Sequence, residues 1–142
     1  MNPTISVIMP AFRAEPFIAE GVRSVLAQTY PDWQLFIVAD DGADYEAFLA
    51  AQGVRDPRMK FLSSGTIGGG ASRARNFALD LIDTPHVAIL DADDRFQPQK
   101  LERVTAALAD YPIVSSALAV MDDRYRPLRR VGAGPDRVLT PG

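Results

Sequence analysis

Apolar runs and apolar stripes of helical period alternate along this chain. Ile5-Ser6-Val7-Ile8-Met9 reads as a first buried strand, stopped at Pro10, which has no N–H to give a ladder. A loop from Ala11 to Pro16 follows. From Phe17, the positions Ile18, Val22, Val25 and Leu26 repeat at helical spacing and end before the turn Thr29-Tyr30-Pro31-Asp32. Leu35 to Ala39 is a second apolar strand, and it runs straight into Asp40-Asp41-Gly42. A helix through Tyr45 to Gln52 and a short strand Met59 to Leu62 come next. A glycine-rich stretch, Gly65 and Gly68-Gly69-Gly70, opens a helix with apolar face Ala74, Phe77, Ala78, Leu81 and Ile82. His86 to Leu90 then reads as a strand covered on both faces, ending in Asp91-Ala92-Asp93-Asp94. Gln97-Pro98 starts a last helix with Leu101, Val104, Leu108 and Tyr111 on one face. Ile113 to Met121 is expected as a further strand, 122–134 as an arginine-rich turn or hairpin, and 135–142 as a connecting segment.

Strand and helix alternating in this way predict an α/β fold: a doubly wound, mostly parallel sheet with helices on both faces and right-handed crossovers. One domain over 1–142 is expected. The composition changes this picture little. With 47% hydrophobic residues the chain can bury its own core. A net charge of −3 gives no global signal for nucleic acid, so an anionic ligand would need local basic groups. The absence of cysteine excludes disulfides, zinc–thiolate sites and thiol nucleophiles. No apolar run reaches the roughly 18–20 residues of a membrane span, and the N-terminus lacks a signal-peptide pattern. The expected compartment is the cytoplasm, with peripheral attachment to the inner face of the membrane left open.

Three polar sets fall at the carboxyl ends of expected parallel strands: the Pro10 to Glu15 loop, Asp40-Asp41, and Asp91-Asp93-Asp94. In an open parallel sheet these ends share one edge, where ligands bind. Three carboxylates within four residues repel one another and resist burial unless a cation or hydrogen bonds compensate. They read either as a hard-metal site or as an acidic turn capping the next helix. The Gly68–Gly70 run before a helix could bring backbone amides to an anion, or could be a flexible loop. Arg73 and Arg75 could neutralise phosphate or could be solvated helix residues; Arg75 projects about 100° from Ala74, so it can reach sideways toward the sheet edge. His86 stands at the far end of its strand from the carboxylates and reads as structural, which removes Ser-His-Asp catalysis. No G-x-x-x-x-G-K-[ST] stretch is present, so P-loop phosphoryl transfer is excluded. Arg124, Arg126, Arg129 and Arg130, close to Asp122 and Asp123, read as a solvated hairpin rather than a nucleic-acid surface.

Several segments together resemble the nucleotide-binding half of family 2 glycosyltransferases, which have the GT-A fold. They are Ser6-Val7-Ile8-Met9-Pro10-Ala11-Phe12 with Glu15, and Ser24-Val25-Leu26-Ala27-Gln28-Thr29-Tyr30-Pro31. Val38-Ala39-Asp40-Asp41-Gly42, Gly69-Gly70-Ala71-Ser72-Arg73-Ala74-Arg75-Asn76 and Leu90-Asp91-Ala92-Asp93-Asp94 follow, then Pro98 and Lys100-Leu101-Glu102. The resemblance implies transfer of a sugar from a nucleoside-diphosphate sugar to a saccharide, lipid or protein acceptor, with Mg2+ or Mn2+ and inversion at the anomeric carbon. It implies that Asp93 binds the metal, Asp91 faces the metal or the ribose, and Asp94 supports them. Pro10, Ala11, Phe12 and Glu15 would wrap the base, and Asp41 would read the base edge or ribose. Gly70 and Arg75 complete the implied nucleotide-binding set.

The chain departs from the family pattern at Arg13, where Asn is usual, and at Ala43, where Ser is usual. Family members also continue into an acceptor-binding half that carries the catalytic base, so the chain reads as truncated at its C-terminus and no residue is assigned as that base. Two other functions fit parts of the pattern. A haloacid-dehalogenase-like phosphatase also has a strand ending in Asp-x-Asp, but wants Thr or Val at Asp94 and a lysine farther downstream than Lys100. A non-catalytic fragment, which binds nucleotide without transferring anything or serves as an interaction module, is the other.

Overall fold

The computed structural model describes residues 2–124 and 126–131. The chain divides into two compact units, Met1–Ala106 and Ala107–Gly142. The first unit contains strands β1 (Ile5–Ala11), β2 (Trp33–Ala39), β3 (Met59–Ser63) and β4 (His86–Ile89). Helices α1 (Ile18–Leu26), α2 (Tyr45–Ala51) and α3 (Ala71–Leu79) connect them, and α4 (Lys100–Leu108) follows. The sheet order is β3-β2-β1-β4, with every pair parallel.

Alternation along the strands divides the core in two. Ile5, Val7, Met9 and Ala11 of β1 join Leu35, Ile37 and Ala39 of β2 in a cluster with Ile18, Val22 and Val25 of α1, Leu49 of α2 and Leu101 of α4. On the opposite face Ile8, Phe36 and Val38 cluster with Ala74 and Ala78 of α3. Full burial of a Val, Leu or Ile side chain contributes roughly 1.5–3 kcal/mol, so this two-sided burial of β1 and β2 is the main source of stability. The chain winds outward from β1 to β3, then returns across the sheet to β4 through α3. With right-handed crossovers, that reversal puts α3 on the face opposite α1 and α2. The crevice between the carboxyl ends of β1 and β4 is therefore the switch point of the sheet.

Local chemistry agrees with these elements. Asp44 caps α2, its Oδ1 accepting the Ala47 N–H at 2.9 Å. Buried Ser6 is satisfied, with its hydroxyl 2.7 Å from Thr84 Oγ1 and accepting from Gln34 Nε2 at 2.8 Å. At the opposite end of the sheet from the crevice, the Arg58 guanidinium lies 3.7 Å from the Trp33 ring centroid. It also donates through Nε and Nη2 to Asp56 at 2.9 and 2.8 Å.

Several expectations need correction. Pro10 does not stop β1, which continues to Ala11. Ile8 O accepts from Leu90 N on the β4 side, so two residues on Pro10 would also face β4, whose ladder has already ended at Ile89. The missing N–H costs no bond there. Nor is β4 covered on both faces. Ala88 and Leu90 turn into the core, whereas Val87 and Ile89 are 38% and 45% exposed. Among the described residues β4 is the edge strand of its sheet, and α3 covers β1 and β2 instead. For the same reason Phe77 and Leu81, assigned to the buried face of α3, are exposed, and Ala74 and Ala78 do its packing.

The second unit holds a hairpin of β5 (Leu118–Met121) and β6 (Pro127–Val131), antiparallel and bulged at Val120/Met121. The expected strand from Ile113 therefore begins only at Leu118, and it belongs to a two-stranded sheet. Asp122 organises the turn, accepting from the Arg124 and Arg126 N–H groups at 2.9 and 2.8 Å and from Arg126 Nε at 2.7 Å. The connecting segment expected over 135–142 lies outside the described residues. No helix among the described residues is long and apolar enough to cross a membrane.

Candidate functional site

A cleft of about 490 Å3 opens at the carboxyl edge of the sheet. Its walls are Pro10 to Ala14 and Phe17 from the β1–α1 loop, Asp40 at the end of β2, Gly68, Gly70 and Ala71 at the start of α3, and Asp91 to Asp93 after β4. Six of the residues that the sequence assigned to nucleotide or metal line it: Pro10, Ala11, Phe12, Gly70, Asp91 and Asp93. Arg75 joins them indirectly, donating from Nη2 to Asp91 Oδ1 at 2.6 Å, as its phase on α3 suggested. Its Nε is buried without a hydrogen-bond partner among the described residues. Glu15 and Asp41 are not part of the lining.

The two adjacent aspartates after β2 do different work. Asp40 is buried, and its Oδ1 accepts from the Ser64 and Thr66 hydroxyls at 2.6 and 3.0 Å, while Oδ2 accepts from the Gly70 N–H at 2.8 Å. These bonds, the Ser64 hydroxyl foremost, hold its carboxyl below the usual carboxylate range. Asp40 thus places a negative charge of the protein's own at the N-terminus of α3, where an anion is favoured. The Gly70 amide, a candidate phosphate donor, is spent on it. The loop is tight: a methyl group on Gly69 would stand 2.6 Å from Thr66 Oγ1 and 3.0 Å from Arg73 Cδ.

Asp41 lies behind the first loop and fastens it. Its Oδ2 accepts from the Arg13 N–H and the Tyr45 hydroxyl, both at 2.7 Å, and its Oδ1 from the Ala43 N–H at 3.1 Å. The Tyr45 hydroxyl in turn accepts from the Ala14 N–H at 3.0 Å. Burial raises the Asp41 carboxyl, but the bonds from Arg13, Tyr45 and Ala43 outweigh it and leave its pKa lowered. Burial above all drives the Tyr45 pKa far up, so the hydroxyl keeps the proton it donates. Between these anchors Arg13 takes a left-handed conformation with φ 50°, the one positive φ outside glycine among the described residues. That conformation costs a non-glycine residue about 1–2 kcal/mol. The Arg13 guanidinium lies over the Phe12 ring, 5.1 Å from its centroid.

The acidic turn after β4 is held from α1 and the segment behind it. Gln28 donates to Gln97 O at 2.7 Å and accepts from the Leu101 N–H at 2.9 Å, and Ser24 Oγ accepts from the Phe96 N–H at 3.0 Å. Asp94 has a raised pKa, through desolvation first and then the neighbouring charges of Asp93 and Asp91. Such like-charge pressure is what a cation relieves. Among the described residues no group of three or more His, Cys, Asp or Glu forms a prebuilt metal cage. The set still suits Mg2+ or Mn2+, because those ions commonly take one or two carboxylates and complete their shell with phosphate oxygens and water. Asp93 and Asp91 would hold the ion.

Sequence reading found no function for Phe17, for Asp40's inward role or for the anchoring by Ser24 and Gln28, whereas Gly68 belongs to the glycine run it singled out. Phe17 carried a signal, as a large aromatic just outside the apolar face of α1. Ser24 and Gln28 are polar residues within a helix and the turn after it, with nothing local to mark their partners some 70 residues away.

A parallel sheet with α3 opposite α1 and α2, and a cleft at the β1/β4 switch point, make an α/β fold of the doubly wound type, which the solved structures below place with the GT-A glycosyltransferases. The match to the glycosyl transferase family 2 model over residues 6–132 shows that the chain belongs to that family. It is similar to the UDP-Glc:alpha-D-GlcNAc-diphosphoundecaprenol beta-1,3-glucosyltransferase WfgD of Escherichia coli, 39% identical over 98 residues, covering 69% of this chain and 38% of that protein. It is also similar to the putative teichuronic acid biosynthesis glycosyltransferase TuaG of Bacillus subtilis strain 168, 35% identical over 102 residues, covering 72% and 40%. The chain thus spans about two fifths of the length of these curated relatives. Among solved structures, S. aureus TarS matches with a TM-score of 0.66 at 25% identity, over 78% of this chain and 20% of that one. The mannosyltransferase PcManGT from Pyrobaculum calidifontis, in complex with GDP-Man and Mn2+, matches in fold with a TM-score of 0.68 at 24% identity, over 87% and 37%. Family membership sets aside the haloacid-dehalogenase-like alternative.

Proposed function

We propose that this chain binds the nucleoside-diphosphate sugar donor of a glycosyltransferase, which passes the sugar to an acceptor hydroxyl with inversion. The observation that carries this reading is the cleft at the switch point, lined by Pro10, Ala11 and Phe12 on one wall and Asp91 and Asp93 on the other. In this reading Phe12 and the first loop hold the nucleoside. Asp93 and Asp91 would hold a divalent metal, which would supply charge stabilisation as the nucleoside diphosphate departs. Arg75 keeps Asp91 oriented, and Asp40 and Asp41 shape the two loops. The names of the relatives support this donor class: WfgD is named for a UDP-sugar, and PcManGT was solved with GDP-Man and Mn2+.

Differential scanning fluorimetry with UDP- and GDP-sugars, with and without Mn2+ or Mg2+, tests the proposal. A metal-dependent rise in Tm with one nucleotide class is expected. No shift with any nucleotide–metal pair contradicts donor binding by this chain.

A further inference from the structure

Of the charged side chains on the cleft wall, Asp40, Asp91 and Asp93 are acidic and Arg13 alone is cationic among the described residues. The other source of positive potential, the N-terminus of α3, faces the buried Asp40 carboxylate, which takes the Gly70 N–H. Behind the wall the Arg75 guanidinium is already paired with Asp91, so the cation that the lining itself offers an anionic ligand without a metal is, among the described residues, Arg13. That charge is held in place by strain. Arg13 keeps φ 50° because Asp41 grips its N–H and Tyr45 grips the N–H of Ala14. A left-handed arginine carries no benefit for the loop itself, where glycine or asparagine would sit more easily. Backbone strain that surrounding bonds actively maintain points to a use for the side chain.

We infer that Arg13 is a diphosphate-binding residue, presented to the cleft by Asp41 and Tyr45, and that it takes the phosphate charge from the wall opposite Asp91 and Asp93. This rests on the nucleotide reading of the cleft for its natural ligand, but the anion contact itself can be tested without a nucleotide. Guanidinium suits the role because it is always charged and offers several N–H donors to phosphate oxygens. The stacking on Phe12 holds the guanidinium against the ring without consuming those donors.

The test compares the 142-residue chain with Arg13→Gly, Arg13→Asn and Arg13→Lys, without divalent metal, so that no ion bridges phosphate to the aspartates. Glycine and asparagine both tolerate the left-handed conformation, so Tm should hold or rise while the side chain's charge is lost. Dissociation constants are measured for uridine, UDP, guanosine, GDP and inorganic pyrophosphate. Loss of one charge-assisted contact predicts about tenfold weaker binding of the preferred diphosphate and of pyrophosphate. Binding of the matching nucleoside should change by less than about twofold, and Arg13→Lys, which keeps the charge but not the planar fork, should recover only part of the loss. Unchanged diphosphate and pyrophosphate binding in Arg13→Gly and Arg13→Asn overturns the inference, as does absence of pyrophosphate binding to the parent chain. An equal loss for nucleoside and diphosphate also overturns it, because Arg13 would then contact the base. If pyrophosphate binds through Arg13 but no nucleotide binds, the anion site stands and the nucleotide reading fails.

Discussion

Gly21 of α1 lies against the backbone of Asp94. A methyl group built on Gly21 would stand 3.1 Å from the Asp94 carbonyl oxygen and 3.2 Å from that of Ala92. The closest approach of the first helix to the acidic turn is thus set by a missing side chain. Gly21→Ala should push that turn outward, at a cost of about 1–3 kcal/mol for overpacking against backbone. A lower Tm, together with weaker metal-dependent nucleotide binding, would show the coupling. A variant as stable and as tight as the parent would mean that the turn is not placed by α1.

Tyr45 joins the first loop to Asp41 through one hydroxyl, which donates to the carboxylate and accepts from Ala14. Tyr45→Phe leaves both partners short of a bond, and the expected loss is about 1–3 kcal/mol by chemical denaturation. Nucleotide binding should weaken as well, because the loop carrying Phe12 and Arg13 loses an anchor. Unchanged binding would separate the loop from the site.

Asp40 and Asp41 have lowered pKa values in the folded chain, for reasons of hydrogen bonding. A carboxylate whose folded pKa lies below its unfolded value stabilises the fold fully above the unfolded pKa, near 3.9 for Asp. That contribution is lost as pH falls through the folded value. Tm should therefore be steady from these groups at neutral pH and fall below about pH 4. Asp41→Asn should flatten that acid slope, as read from Tm against pH. A slope identical to the parent's would show that Asp41 does not contribute to it.

Arg58 provides a control remote from the cleft, at the amino end of β2. Its stacking on Trp33 and its paired bonds to Asp56 depend on a planar guanidinium. Arg58→Lys should cost about 0.5–1 kcal/mol and leave nucleotide binding untouched. A change in affinity with this variant would mean that the two ends of the sheet are coupled.

What the sequence showed and what it hid follow one physical division. Short-range periodicity placed every strand and helix of the first unit, and the phase of α3 pointed Arg75 toward the sheet edge, though not to its partner Asp91. Partners distant in sequence were invisible. Asp40 and Asp41 look alike as neighbours, yet one turns inward because Ser64, Thr66 and Gly70 wait 24 to 30 residues later. The Val87-Ala88-Ile89 run reads the same for a central strand as for an edge strand, because composition records apolarity and not what covers it. Arg13 stood out only as a departure from the family's usual asparagine. Its left-handed backbone shows why asparagine would be at home there.

The most direct measurement is the Tm of the parent chain and of Asp93→Ala with Mn2+ and a saturating nucleoside-diphosphate sugar. Ligand at a hundredfold excess over Kd stabilises by about 2.7 kcal/mol, which for a chain of this size raises Tm by several degrees. The parent should show that rise only with metal and nucleotide together, and Asp93→Ala should lose it while keeping its ligand-free Tm. An equal rise in Asp93→Ala, or a rise indifferent to metal, would contradict a donor site built on the acidic turn after β4.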